Sequence, residues 1–172
     1  MTNLFLTGPK HIGKTTLWYR VFHRSGSTPG GYVVKRVVKD GRVVRFDLCD
    51  LATRRRAPIV YPSTLGTWDT VHSSFDTLGV ASVLGAISRG SIIMMDELGD
   101  RESGSGPFAR AVRLALSSPV PACGVIKMAS TPFLDEIRQR PDVEVVTLTE
   151  SNRSQVESHV EHWLLCTRKV LK

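Results

Sequence analysis

Residues Gly8-Pro9-Lys10-His11-Ile12-Gly13-Lys14-Thr15 have the spacing G-x-x-x-x-G-K-[ST], the phosphate-binding P-loop. An apolar run, Leu4-Phe5-Leu6, precedes the loop and reads as a buried strand. Thr16-Leu17-Trp18-Tyr19-Arg20-Val21-Phe22 follows and reads as the start of a helix. The glycines let the backbone turn its N–H groups inward around a phosphate. Lys14 then reaches the β/γ-phosphates and the Thr15 hydroxyl ligates Mg²⁺. Gly8 through Thr16 are thus the expected nucleotide-binding segment. Chance alone gives such a match in about one chain in a few hundred of this length, before the flanking strand and helix are counted.

Size permits a single domain over residues 1–172 with a proper core. Hydrophobic residues make up 41% and no stretch approaches the roughly 20 apolar residues of a membrane span, so a soluble protein is expected. Met1-Thr2-Asn3-Leu4 has no charged leader region and no signal peptide is read there. Three widely spaced cysteines, Cys49, Cys123 and Cys166, suit a reduced, cytoplasmic setting. The net charge of +7 fits either a polyanionic partner or a field focused on a small polyphosphate. With no long basic run and no interleaved basic-aromatic pattern, the second reading is preferred, and nucleic acid is not favoured as a partner.

Strand and helix signals alternate along the chain, which argues for a mostly parallel sheet covered on both faces. Tyr32 to Val38 and Val43 to Leu48, joined at Asp40-Gly41, read as an added β-hairpin. Residues 52–70 read as irregular, since Arg54-Arg55-Arg56, Pro58, Pro62 and Gly66 break any period. A helix is expected over residues 72–87, a buried strand over 91–95 and a loop at Ser103 to Gly106. A helix over 108–116 and a strand over 121–126 follow, then a helix from Pro132 capped by Thr131. The last expected elements are a strand over 143–148 and a helix over 153–165.

Ile92-Ile93-Met94-Met95-Asp96-Glu97 is four apolar residues followed by two acids, the pattern of a Walker B strand. Asp96 would hold Mg²⁺ opposite Thr15, and Glu97 would act as base for the attacking water. Lys127, at the end of the strand Val125-Ile126, is a candidate for neutralising the γ-phosphate.

Five segments together resemble the small nucleoside-triphosphatase family that includes the cancer-related nucleoside-triphosphatase and its thermophilic prokaryotic relatives. They are the P-loop; the hairpin from Gly31-Tyr32 to Phe46-Asp47-Leu48-Cys49-Asp50-Leu51; the aromatic pair Trp68 and Phe75; Asp96-Glu97-Leu98-Gly99 with Glu102; and Leu148-Thr149-Glu150-Ser151-Asn152-Arg153. The resemblance implies a P-loop NTPase three-layer sandwich with a RecA-like sheet. It also implies Mg²⁺-dependent hydrolysis of ATP, GTP and other nucleoside triphosphates with broad base preference. By position, Asn152 and Arg153 would flank the base, where a guanidinium can stack on any purine. Departures are Lys35 and Arg36, where the family's hairpin usually has acids, and Lys10 and His11, where its P-loop usually has small residues.

Other features are weaker. Arg54-Arg55-Arg56 reads as a solvated loop or as the lid of a nucleotide or small-molecule kinase, the first alternative function. A nucleic-acid-binding P-loop switch is the second. Arg101 is a lesser candidate for charge stabilisation, and His159, His162 and Cys166 share a helix face without closing a metal site. A monomer is expected, and its turnover should be slow, because a well-placed arginine adds about 10³–10⁵ in rate and none is evident.

Overall fold

The computed structural model describes residues 3–101 and 104–170; Glu102 and Ser103 lie outside the described residues. Its sheet has eight strands in the order β5-β4-β3-β2-β6-β7-β1-β8. Five are parallel: β1 (Asn3–Thr7), β2 (Gly30–Lys39), β6 (Ile93–Leu98), β7 (Ala122–Ile126) and β8 (Val143–Thr147). Three run on antiparallel from β2: β3 (Arg42–Asp50), β4 (Arg56–Pro62) and β5 (Trp68–Thr70). The expected hairpin is therefore only half of the extension, and residues 52–70 are not irregular. Pro58 is accommodated where the ladder shifts at Phe46/Asp47. The Asp40-Gly41 turn is as expected, with φ of 49° and 75°.

Helices α1 (Lys14–Ser25) and α6 (Arg153–Val170) cover one face of the sheet. The other carries α2 (His72–Ser74), a π-helical turn (Phe75–Gly79), α3 (Val80–Ser88), α4 (Gly106–Leu116) and α5 (Pro132–Arg138). The expected helix over 72–87 is thus present with an underwound, π-helical middle. Thr131 caps α5 as expected, its hydroxyl accepting from Leu134 N. Two cores form. Leu4, Leu6, Leu17, Trp18, Met94 and Trp163 fill the α1/α6 side; Phe5, Tyr32, Leu48, Phe75, Phe108 and Met95 fill the other. The alternation of Met94 and Met95 is the period-2 signature of a strand buried on both faces.

Two buried polar contacts set the layers. The Trp18 indole donates to Gly124 O at 2.7 Å, docking α1 on β7. Asn3 donates to Leu116 O and Asp142 O and accepts from Ala122 N, tying the start of β1 to both neighbours. Gly124 has φ 152°, and a Cβ there would sit 2.0 Å from Met95 O, so β6 and β7 approach only because it is glycine. Cys49, Cys123 and Cys166 are all free thiols.

Candidate functional site

The parallel order puts β7 between β1 and β6, so the ends of these strands form one edge with the P-loop over β1 and the acids on β6. The loop is curled as the glycine spacing requires: Gly8 (φ 133°), His11 (φ 64°) and Gly13 (φ 94°) take positive φ, and Gly13 precedes the first turn of α1. Pro9, Lys10, His11 and Thr16 are exposed around it, Ile12 and Gly13 half-buried. A Cβ on Gly8 would meet Leu148 O at 2.5 Å, so the loop sits directly on the chain leaving β8.

Lys14 folds back over the loop, its Nζ donating to Gly8 O and Pro9 O at 2.8 Å each. Burial lowers its pKa, against the opposing pull of the negative Glu97 and Asp96. The Thr15 hydroxyl lies near enough across the edge to act on the Asp96 carboxylate. Asp96 is 3% exposed, and burial pushes its pKa up to about 7. Thr15 and Lys14 oppose that rise, while the charge of Glu97 adds to it. The expected strand end is corrected here: β6 runs through Asp96 and Glu97 to Leu98, with the ladder to β7 slipping between Asp96 and Leu98.

Glu97 is half-exposed beside Asp96. Lys127 Nζ lies 3.7 Å from Glu97 Oε2 and 3.1 Å from Asp100 Oδ1. Burial works against the charge of Asp100, but the bond and charge of Lys127, with a backbone bond of Asp100 itself and the charge of Arg101, together hold its pKa below the usual value. Arg138 donates to Lys127 O and Ala129 O, fixing the turn after β7. Sequence reasoning gave Asp100 and Arg138 no role, and only the place of Asp100 just past the acidic pair signals one.

Arg153, at the first turn of α6, donates from Nη2 to Ile12 O at 2.6 Å, and its Nη1 lies 2.9 Å from where a Gly13 Cβ would be. Asn152 accepts from Thr149 N and donates to Thr147 O, closing its own turn rather than capping α6 with its side chain. Of the two residues expected to flank a base, Arg153 thus reaches the P-loop, while Asn152 has its polar groups engaged within its own turn. Of the two aromatics whose spacing resembles the family's, Trp68 lies edge-on to Phe46, and Phe75 is buried against Phe108. Arg101 donates to Trp68 O and Thr70 Oγ1, latching β5 to the loop after β6. His162 contacts Cys166 while His159 lies against Glu144, and no cluster able to hold a metal is formed by His, Cys, Asp and Glu among the described residues. No helix among the described residues is long and apolar enough to cross a membrane.

A glycine-bearing loop between β1 and α1, facing an acidic pair two strands away in the parallel order β8-β1-β7-β6-β2, defines a P-loop NTPase with a RecA-like sheet. The family model described as NTPase matches residues 3–161, and the chain belongs to that family. It is 30% identical to the cancer-related nucleoside-triphosphatase homolog of Bos taurus, over 97% of this chain and 98% of that one. It is 32% identical to the nucleoside-triphosphatase THEP1 of Methanopyrus kandleri, over 94% and 97%. The solution structure of a human cancer-related nucleoside triphosphatase superposes with TM-score 0.78 at 28% identity, covering 95% of this chain and 97% of that one. The crystal structure of THEP1 from Aquifex aeolicus shares the fold with TM-score 0.77, covering 93% and 96% at 24% identity.

Proposed function

We propose that this chain hydrolyses nucleoside triphosphates to diphosphate and phosphate with Mg²⁺, with broad base preference. The observation that carries the reading is the buried Asp96 at the end of β6, with Thr15 of the P-loop near enough to act on its carboxylate and Glu97 beside it. The names of the relatives point the same way.

The donor set suits a hard divalent cation: a hydroxyl and a carboxylate, both oxygen, the carboxylate buried so that its charge calls for a counter-ion. Thr15 and Asp96 would hold Mg²⁺, which when bound neutralises charge on the β- and γ-phosphates. The backbone N–H groups of Gly8 and of Lys10 through Thr16 cradle the phosphates, Pro9 having none to give. Lys14 exchanges the carbonyls of Gly8 and Pro9 for phosphate oxygens. Glu97 takes the proton of a water whose oxygen attacks the γ-phosphorus as the bond to the β–γ bridging oxygen breaks. Lys127, held at the edge by Glu97 and Asp100, supplies positive charge on the γ-phosphate side. Broad base preference follows from the turn before α6, where Asn152 and Arg153 spend their polar groups on the chain.

The test is phosphate release from ATP and GTP with Mg²⁺ and no acceptor, comparing wild type, Glu97→Gln and Lys14→Ala. Release lost in both variants, with Glu97→Gln still binding nucleotide, is the expected result. Tight binding without release by the wild type would overturn the hydrolase reading and favour a kinase.

A further inference from the structure

The antiparallel extension holds eight cationic side chains (Lys35, Arg36, Lys39, Arg42, Arg45, Arg54, Arg55, Arg56) against four acids (Asp40, Asp47, Asp50, Asp69). Its net +4 is thus more than half of the charge of the whole chain. The register sorts these residues by face. Asp96, Val33, Cys49 and Arg56 are paired in one row across β6, β2, β3 and β4, so their side chains share the α1 face of the sheet. The row spans ~14 Å, three strand spacings. Lys35, two residues beyond Val33 on the same face, lies about 7 Å further toward the site edge. Asp47 also shares the face, where it is bound to Arg45 at 2.8 Å. Lys35, Arg54 and Arg56 are exposed, and no carboxylate pairs with them among the described residues.

Two rings border these cations. Tyr61, 39% exposed, lies close enough to Arg45 to act on its charge. Tyr19, 41% exposed on α1, is near enough to Asp96 and Arg54 for their opposite charges both to act on its hydroxyl. Arg54 is held in place rather than slack. The Asp50 carboxylate accepts from Ala52 N (2.9 Å), Thr53 N (2.6 Å) and Ser82 Oγ (2.6 Å), and Arg54 N donates to Asp50 O. That turn keeps Arg54 at φ 64°, a strained conformation for a side chain of its size.

We propose that this face of β2–β4, continuous with Asp96 at the nucleotide site, binds single-stranded nucleic acid, with Lys35, Arg54 and Arg56 on phosphates and Tyr61 and Tyr19 under bases. Unpaired cations supply the charge complementarity. The exposed rings select the partner, since unstacked bases use π-faces that an acidic peptide or a lipid headgroup does not need. The sequence reading missed this pattern because its members come from α1, β2, the Asp50 turn and β4. The proposal does not rest on hydrolysis, and its test contains no nucleotide.

The measurement is fluorescence anisotropy of a labelled single-stranded oligo-deoxythymidine titrated with the full chain at 50 and 200 mM salt, with anionic phospholipid vesicles as a second arm. Three phosphate contacts give a salt slope near −2, so affinity is expected to fall about 20-fold over that range. The double variant Lys35→Glu/Arg56→Glu is expected to weaken binding by at least tenfold. Tyr61→Ala is expected to weaken it about tenfold without flattening the salt slope. All variants should keep the wild-type circular-dichroism spectrum and Tm, which shows that they fold. Equal oligonucleotide binding by wild type and double variant would overturn the proposal. So would vesicle binding lost in the double variant when the wild type does not bind the oligonucleotide.

Discussion

Replacing Asp96 by Asn is expected to stabilise the metal-free protein while abolishing phosphate release. The carboxyl is 3% exposed and its pKa stands at about 7 in the folded chain, against 3.8 for the group in water. Below pH 4 it is protonated in both states and costs nothing. Between pH 4 and 7 the unfolded chain ionises first, so stability drains away as pH rises, and the loss saturates above 7. About three units at 1.36 kcal/mol each make the full cost about 4 kcal/mol. Asn keeps an oxygen to accept from Thr15 but brings a buried NH₂, which returns about 1–3 kcal/mol. A net gain of roughly 1–3 kcal/mol at pH 8 corresponds to a Tm rise of about 3–10 °C for a domain of this size. The assay is calorimetry of wild type and Asp96→Asn in chelator at pH 5 and pH 8, with a Mg²⁺ arm. The gap should be widest at pH 8 and shrink toward pH 5, and Mg²⁺ should raise the wild type alone. A variant melting at or below wild type at pH 8 would show that the carboxylate is not a buried charge lacking its counter-ion, and the reasoning would fail.

Arg153→Ala removes the bond to Ile12 O and is expected to raise KM for ATP about tenfold with little change in kcat, as loss of a charged hydrogen bond ordering the P-loop before binding; steady-state kinetics checks it. Gly8→Ala forces a Cβ to 2.5 Å from Leu148 O at φ 133°, and thermal unfolding should show a loss of about 2 kcal/mol or more together with weakened nucleotide binding. Trp18→Phe deletes the buried donor to Gly124 O and is expected to cost about 1–3 kcal/mol in denaturant unfolding, leaving KM within twofold because the site edge lies beyond this contact.

The P-loop and the acids of β6 were legible because each is a local pattern: a fixed spacing of glycines, and a strand with no polar residue before its carboxylates. The π-helical turn at Phe75–Gly79 and the strands β4 and β5 were not. Pro58 and Pro62 speak against a strand locally, and only a ladder shift opposite Phe46 and the partner strand β5 make one. Arg153 carried a signal of position only, with nothing to say that its guanidinium would be spent on the P-loop backbone.

By itself the sequence determined that a strand, a phosphate loop and a helix follow one another, and that a buried strand ends in two acids, because backbone curvature and period-2 burial depend on neighbouring residues. Tertiary structure alone decided that β7 separates β1 from β6, that Thr15 meets Asp96, and that burial rather than residue type lifts that carboxyl to about 7. It also decided that Lys35 and Arg56, far apart along the chain, share one face of the sheet with Asp96. Strand register is a property of pairing between distant segments, and no local pattern encodes it.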